Sequence, residues 1–216
     1  MQQARRWLID CIEGHRSQEH SHCQVAEYEV APTRLVEIRR QPDGSLHPRI
    51  YHSKPKDRIR WATLSYVWGG DQPIKTTKAV LRDREYHLPF SELPKTLQDA
   101  LIVTDSIGLS FIWIDALCII QDDPDDLARE IVKMPEIYNH GVCTISASRA
   151  GSSEDGFLQP HVTDPHYHGA TLINVICPDG TPSKINLAYR GREYVYAGEP
   201  IHKRAWYAFS NIHTKL

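Results

Sequence analysis

The chain has 216 residues, 41% of them hydrophobic and 24% charged, the balance of a globular domain rather than of a disordered tail. A formal net charge of −2 leaves no basic footprint for nucleic acid, and no apolar run reaches the roughly 18–20 residues that a membrane span requires. Five cysteines at irregular spacing (Cys11, Cys23, Cys118, Cys143, Cys177), with no signal segment at the amino end, predict reduced thiols and a cytoplasmic setting.

Residues 1–31 predict a short amphipathic helix around Trp7, Leu8 and Ile12, followed by a polar extension. Cys11 and His15 stand four apart there, with His20, His22 and Cys23 close behind. Their order matches no structural-zinc spacing, so the expectation is a solvated linker and no metal site. "TRLVEIRRQPDGSLHPRI" reads as strand, turn, strand, with Pro42-Asp43-Gly44 at the turn. "RWATLSYVWGG" is a strand over 61–67 that ends in a glycine loop.

"LPKTLQDALIVTDSIG" predicts a helix with Pro94 in its first turn. Leu97, Leu101, Thr104 and Ile107 form its apolar stripe, and Gly108 stops it. "FIWIDALCII" predicts a second strand over 111–117, with Asp115 inside the apolar run. "DDLAREIVKMPEIYNHG" is a second helix, capped by Asp125 or Asp126 and apolar along Leu127, Ile131, Met134 and Tyr138. Glu130 faces solvent in this reading, Pro135 kinks or splits the helix, and Asn139 and Gly141 end it. "VCTISAS" gives a third strand, over 142–147. Further on, "ATLINVICPDGTPSKINLAY" reads as a hairpin around Pro178-Asp179-Gly180. The alternation predicts an α/β fold: a central, mostly parallel sheet flanked by helices, with added antiparallel β elements at both ends. Residues 61–67, 111–117 and 142–147 are its expected neighbouring strands.

The strings "LSYVWGG" (64–70), "LPKTLQDAL" (93–101), "WIDALCIIQDD" (113–123), "EIVKMPEIYNHGVCTISAS" (130–148) and "GFL" (156–158) have the order and spacing of one known family. Over residues 32–206 the chain resembles the fungal heterokaryon-incompatibility (HET) domain. The resemblance implies a role in non-self recognition, in which such proteins drive growth arrest or programmed death of fused cells, with protein partners or self-association carrying the signal. It also implies a distant kinship with the TIR signalling domain and a TIR/flavodoxin-like core. Some TIR domains cleave NAD with a catalytic glutamate, which makes NAD(P) a candidate substrate and an NAD(P) glycohydrolase the alternative activity. The family continues with Arg-Gly-Trp-x-x-Gln-Glu, but this chain keeps only Arg204, Ala205 and Trp206, and then has Phe209 and Ser210. By analogy with the Trp-Cys-x-x-Glu arrangement of TIR hydrolases, the glutamate position is Ser210, so the resemblance implies impaired catalysis. Residues 207–216 read as a divergent or truncated tail.

Two residues are candidates for a substitute acid: Asp115 and, in the loop after the third strand, Glu154 beside Asp155. Tyr66, Trp68, Gly69, Gly70, Asp115 and Gln121 are the candidate cofactor contacts. Glycines after a strand admit a phosphate close to the backbone, although neither a Walker lysine nor a GxGxxG spacing accompanies them. Trp68 either stacks on a base or covers the sheet edge. Asp115 either meets a ribose hydroxyl at the carboxyl end of a strand or serves a structural turn. In both readings a buried carboxylate requires a partner. Gln121 braces the turn after the strand or touches the same ligand, and Cys118, with no basic neighbour, is a buried hydrophobe rather than a nucleophile.

Overall fold

The computed structural model describes residues 2–14, 31–72, 74–159, 170–176 and 182–188. A first compact unit runs to Phe157, and a second spans Leu158–Gly198. The elements of the first unit are α1 (Gln2–Gly14), β1 (Arg34–Arg40), β2 (Leu46–His52), β3 (Ala62–Ser65), α2 (Leu81–Tyr86), α3 (Lys95–Ser106), β4 (Phe111–Trp113), α4 (Asp115–Cys118), α5 (Pro124–His140) and β5 (Cys143–Ser146). The second unit contains β6 (Ala170–Ile176) and β7 (Pro182–Ala188), paired antiparallel as the predicted hairpin.

Five strands form one sheet in the order β2-β1-β4-β3-β5. β3 pairs parallel with β4 on one side and β5 on the other, so the three strands expected to be neighbours are neighbours, with the first at the centre. The sheet as a whole is mixed, because β1 runs antiparallel to both β2 and β4. The β1–β2 hairpin thereby covers the edge of β4, which would otherwise expose unpaired backbone groups. Leu35, Val36, Ile112, Leu64 and Trp113 are fully buried along these strands. From α3, Leu97, Leu101, Thr104 and Ile107 are all buried, so the predicted stripe faces the core. Gly108 follows the helix at φ +89°, a left-handed conformation that favours glycine.

Three local expectations are corrected. First, β4 is shorter than the apolar run suggests, and Asp115 opens the helical turn α4 instead of lying within a strand. The pairing of β4 with β3 stops at Thr63–Trp113, although β3 itself runs on through Leu64 and Ser65 beside β5. The carbonyl of Ile114 instead accepts from the N–H groups of Leu117 (3.0 Å) and Cys118 (2.8 Å).

Second, the cap of α5 is Asp123, which accepts from Asp125 N (3.2 Å) and Asp126 N (3.4 Å). Pro124, lacking an N–H, occupies the first turn and moves the cap one residue upstream of it. The helix is also one continuous element through Pro135.

Third, α5 is rotated from the predicted stripe: Leu127, Met134 and Tyr138 pack against the core as expected, but Ile131 does not. Glu130 is 1% exposed and Asp126 3%, whereas Ile131 is 50% exposed. Polar partners at the start of β1 lie under the helix and meet Asp126 and one carboxylate oxygen of Glu130, as described below.

Candidate functional site

β3 lies between β4 and β5, so the connections after β3 and after β4 carry the chain to opposite sides of β3. In open α/β sheets, ligands bind outside the carboxyl ends of strands at such a point of reversal. Three loops converge on this end of the sheet: residues 66–72 after β3, residues 114–121 after β4, and residues 147–156 after β5. They carry every candidate contact named from the sequence.

Trp68 Nε1 donates to Asp115 Oδ2 at 3.0 Å, which joins the first loop to the second. Asp115 Oδ1 accepts from Ala116 N at 2.7 Å, so this buried acid has the partners that its burial requires. Gln121 is a turn brace: its Nε2 donates to the carbonyls of Asp115 (3.1 Å) and Ile119 (3.2 Å). Its backbone N–H donates to Thr76 O at 2.8 Å. Tyr66 is fully buried in the core.

The first and third loops are packed against each other. Gly69 has φ +78°, and a Cβ there would lie 2.4 Å from Ser152 Cβ and 2.8 Å from Ser152 Cα. The close backbone approach that the glycine permits is taken up by the protein's own loop. Gly70 is exposed, and a Cβ at that position would meet nothing within 4 Å. Trp68 O accepts from Ser153 N (3.2 Å) and from Gln72 Nε2 (2.9 Å), and Gln72 Nε2 also reaches Ser153 Oγ (3.1 Å).

Asp155 organises the third loop by accepting from Gly151 N (2.7 Å), Ser152 N (3.0 Å) and Ser152 Oγ (2.9 Å). The Ser152 hydroxyl, helped by those backbone N–H groups, holds the Asp155 carboxyl below the usual carboxylate range. Glu154 is exposed, and its backbone N–H donates to Ser152 Oγ at 3.3 Å. The loop is then tied to α3: Thr96 N donates to Ser153 O (2.8 Å), and Phe157 N to Asp99 Oδ2 (2.8 Å). Lys95 forms an ion pair with Asp99. The arrangement is a closed lock of loops, in which Trp68, Gly69, Asp115 and Gln121 serve one another.

Two clefts lie elsewhere in the same unit. One of about 500 Å³ is lined by Arg5, Arg58 and Phe111, and one of about 530 Å³ by His47, His87 and Phe90. Among the described residues, no group of three or more His, Cys, Asp or Glu side chains is placed to hold a metal ion. His15, His20, His22 and Cys23 lie outside the described residues, as do Trp206, Phe209 and Ser210.

A second polar cluster, missed in the sequence, forms a buried ionic seam between α5 and β1. Arg34 pairs with Asp126 in the interior, and Arg34 Nε donates to Cys118 O at 2.6 Å. Asp126 Oδ2 also accepts from Ile120 N at 2.9 Å. Burial alone would raise the Asp126 carboxyl, but the hydrogen bonds from Arg34 and Ile120 and the charges of Arg34 and Arg129 outweigh it, leaving it below its ordinary value. Glu130 Oε1 accepts from Thr33 Oγ1 (2.7 Å) and Lys133 Nζ (3.1 Å). The spacing of Asp126 and Glu130, one turn apart in line with Ile137, was the available signal, but apolar periodicity hides it because two of the three residues are acids. Burial pushes the Cys118 thiol up to about 12 and the Cys143 thiol up to about 11, so neither is a nucleophile at neutral pH.

The model of the family described as heterokaryon incompatibility protein (HET) matches residues 61–208. The match begins one residue before β3 and includes the whole loop lock, while the β1–β2 hairpin that completes the sheet precedes it. No curated protein and no solved structure matches the chain.

Proposed function

The chain belongs to the heterokaryon-incompatibility family, and from that premise we propose that it is a signalling module of fungal non-self recognition. Its output is growth arrest or death of fused cells, delivered through protein contacts rather than through turnover of a substrate. The loop lock carries this reading: the residues that would have to contact a dinucleotide are engaged with one another, Trp68 with Asp115 and Gly69 with Ser152. The test is regulated expression of the full chain in a filamentous fungus. Growth arrest is expected, and it should be lost in Gly69→Val, which forces the lock open. Normal growth at readily detected protein levels would overturn the reading.

One observation supports a second reading. The reversal of connections around β3 gathers the motif loops at the carboxyl ends of the parallel strands, where open α/β sheets bind ligands, and this supports a TIR-like NAD(P) glycohydrolase as the alternative. Cleavage of the bond between nicotinamide and ribose passes through an oxocarbenium-like state that a carboxylate stabilises. By the family resemblance that carboxylate would stand at Ser210, which carries no charge at neutral pH. Losing one placed electrostatic stabiliser typically costs on the order of 10²–10³ in rate. Purified chain incubated with NAD should therefore release no measurable nicotinamide, and Ser210→Glu is the variant in which release would appear. Turnover by the unmodified chain would move the acid to Asp115 or Glu154.

A further inference from the structure

We propose that the solvent face of α5 is a self-association surface that pairs two copies of this chain in antiparallel fashion, an inference that rests on the signalling-module reading and names its contact. Amphipathic helices bury one stripe, but α5 carries apolar residues on two opposite sides. Its inner side holds Ile137 and Met134 against the core. Its outer side presents Ala128, Ile131, Val132 and Pro135, at the i, i+3, i+4, i+7 spacing of a second stripe. All four are exposed, Val132 at 77% and Ile131 at 50%.

The charges beside this stripe identify the occupant. Arg129 and Glu136 stand seven residues apart, two turns, on the same edge of the stripe. A two-fold axis beside Val132, midway between Arg129 and Glu136 and normal to the plane of the paired helices, runs the second helix antiparallel and lays this edge beside its own copy in reverse order. Arg129 of each chain then faces Glu136 of the other, giving two opposite-charge pairs around an apolar centre. Arg129 now touches only the rim of the seam, with Asp126 Oδ1 at 3.3 Å and its own side chain 59% exposed. Such an exposed contact is worth little and is easily shared. Glu136 makes no ion pair among the described residues. One helix face is smaller than the roughly 800 Å² per partner of a stable interface, so the pairing is weak and concentration-dependent. That suits a module which signals when copies are brought together.

Sedimentation velocity of the full chain, from micromolar to near-millimolar concentration, tests the proposal. The expected result is a monomer–dimer equilibrium that Val132→Arg abolishes without lowering the melting temperature, because Val132 is 77% exposed. Arg129→Glu should weaken the dimer about tenfold or more, the scale of losing a facing charge pair twice over, and adding Glu136→Arg should restore it. Under mild oxidation Val132→Cys should form a disulfide dimer much faster than Tyr86→Cys, a position equally exposed at 77%. A chain that stays monomeric throughout, a dimer that survives Val132→Arg, a charge reversal without rescue, or equal rates for the two cysteine variants would overturn the proposal. These outcomes are read in solution, while the growth assay decides the signalling reading separately.

Discussion

The loop lock at the carboxyl ends of the parallel strands and the ionic seam beneath α5 both bury polar groups, but they satisfy them differently. The lock relies mainly on hydrogen bonds donated by backbone amides, hydroxyls, the Trp68 indole and the side-chain amides of Gln72 and Gln121, several of them to the carboxylates of Asp115, Asp155 and Asp99, with Gly69 allowing two loops to touch. The seam relies on full charges, Arg34 with Asp126 and Lys133 with Glu130. A neutral hydrogen bond contributes only about 1 kcal/mol net. A buried charge whose partner is removed keeps its whole desolvation penalty. The lock should therefore be sensitive to shape and the seam to charge.

The largest expected effect comes from breaking the seam. Arg34→Met leaves Asp126 charged and buried with the exposed Arg129 as its remaining cation and the Ile120 N–H as a neutral donor, and should cost about 3–5 kcal/mol in urea unfolding. Gly69→Ala tests shape in the lock. It combines a left-handed backbone with a contact against Ser152 backbone, and should cost about 3 kcal/mol. A Gly69→Ala variant as stable as the parent would show that loop 147–156 yields easily, and the lock would not deserve its name. Trp68→Phe keeps the ring packing but removes the Nε1 donor from Asp115, and should cost about 1–2 kcal/mol, since Asp115 retains other partners.

The pH response sharpens the same contrast. Asp126 is held below its ordinary value in the folded state, so its stabilisation is present above about pH 4, the unfolded value, and is lost as pH falls through the folded one. Asp126→Asn should be less stable than the parent at neutral pH and should change less on acidification. Asp155 is shifted in the same direction but is exposed, so Asp155→Asn should flatten the acid limb less. The smallest effect is expected at Cys118, buried with its thiol near 12: native protein treated with a thiol reagent should leave it unmodified by peptide mass analysis until denaturant is added. Rapid native labelling would mean that the seam opens on its own.

Elements whose cause is local were legible in the sequence. Pro42-Asp43-Gly44 marked the β1–β2 turn, and Gly44 has φ +87° there. The stripe of α3 and the Gly108 stop were readable because every stripe residue is apolar or small enough to bury without a distant partner. The loops of the candidate site could also be located, since the motifs end in them. What they do could not be read, because the partner of Gly69 is Ser152 and that of Trp68 is Asp115, and only the sheet brings these residues together.

By itself the sequence determined the order of the strands and of helices α3 and α5, though not the short helices α2 and α4, together with the adjacency of β3, β4 and β5 through helix-length crossovers and the family. Tertiary structure decided where β4 ends, which acid caps α5, and how far α5 is rotated about its axis. The last shows the physical reason most clearly. Apolar periodicity leaves the rotation open, because the acids at 126 and 130 read as outward-facing until their partners are known. Those partners, Arg34 and Thr33, lie 92 and 97 residues away in the chain. The sign of a carboxylate's burial energy depends on what meets it, and that is a property of the fold rather than of any window of sequence.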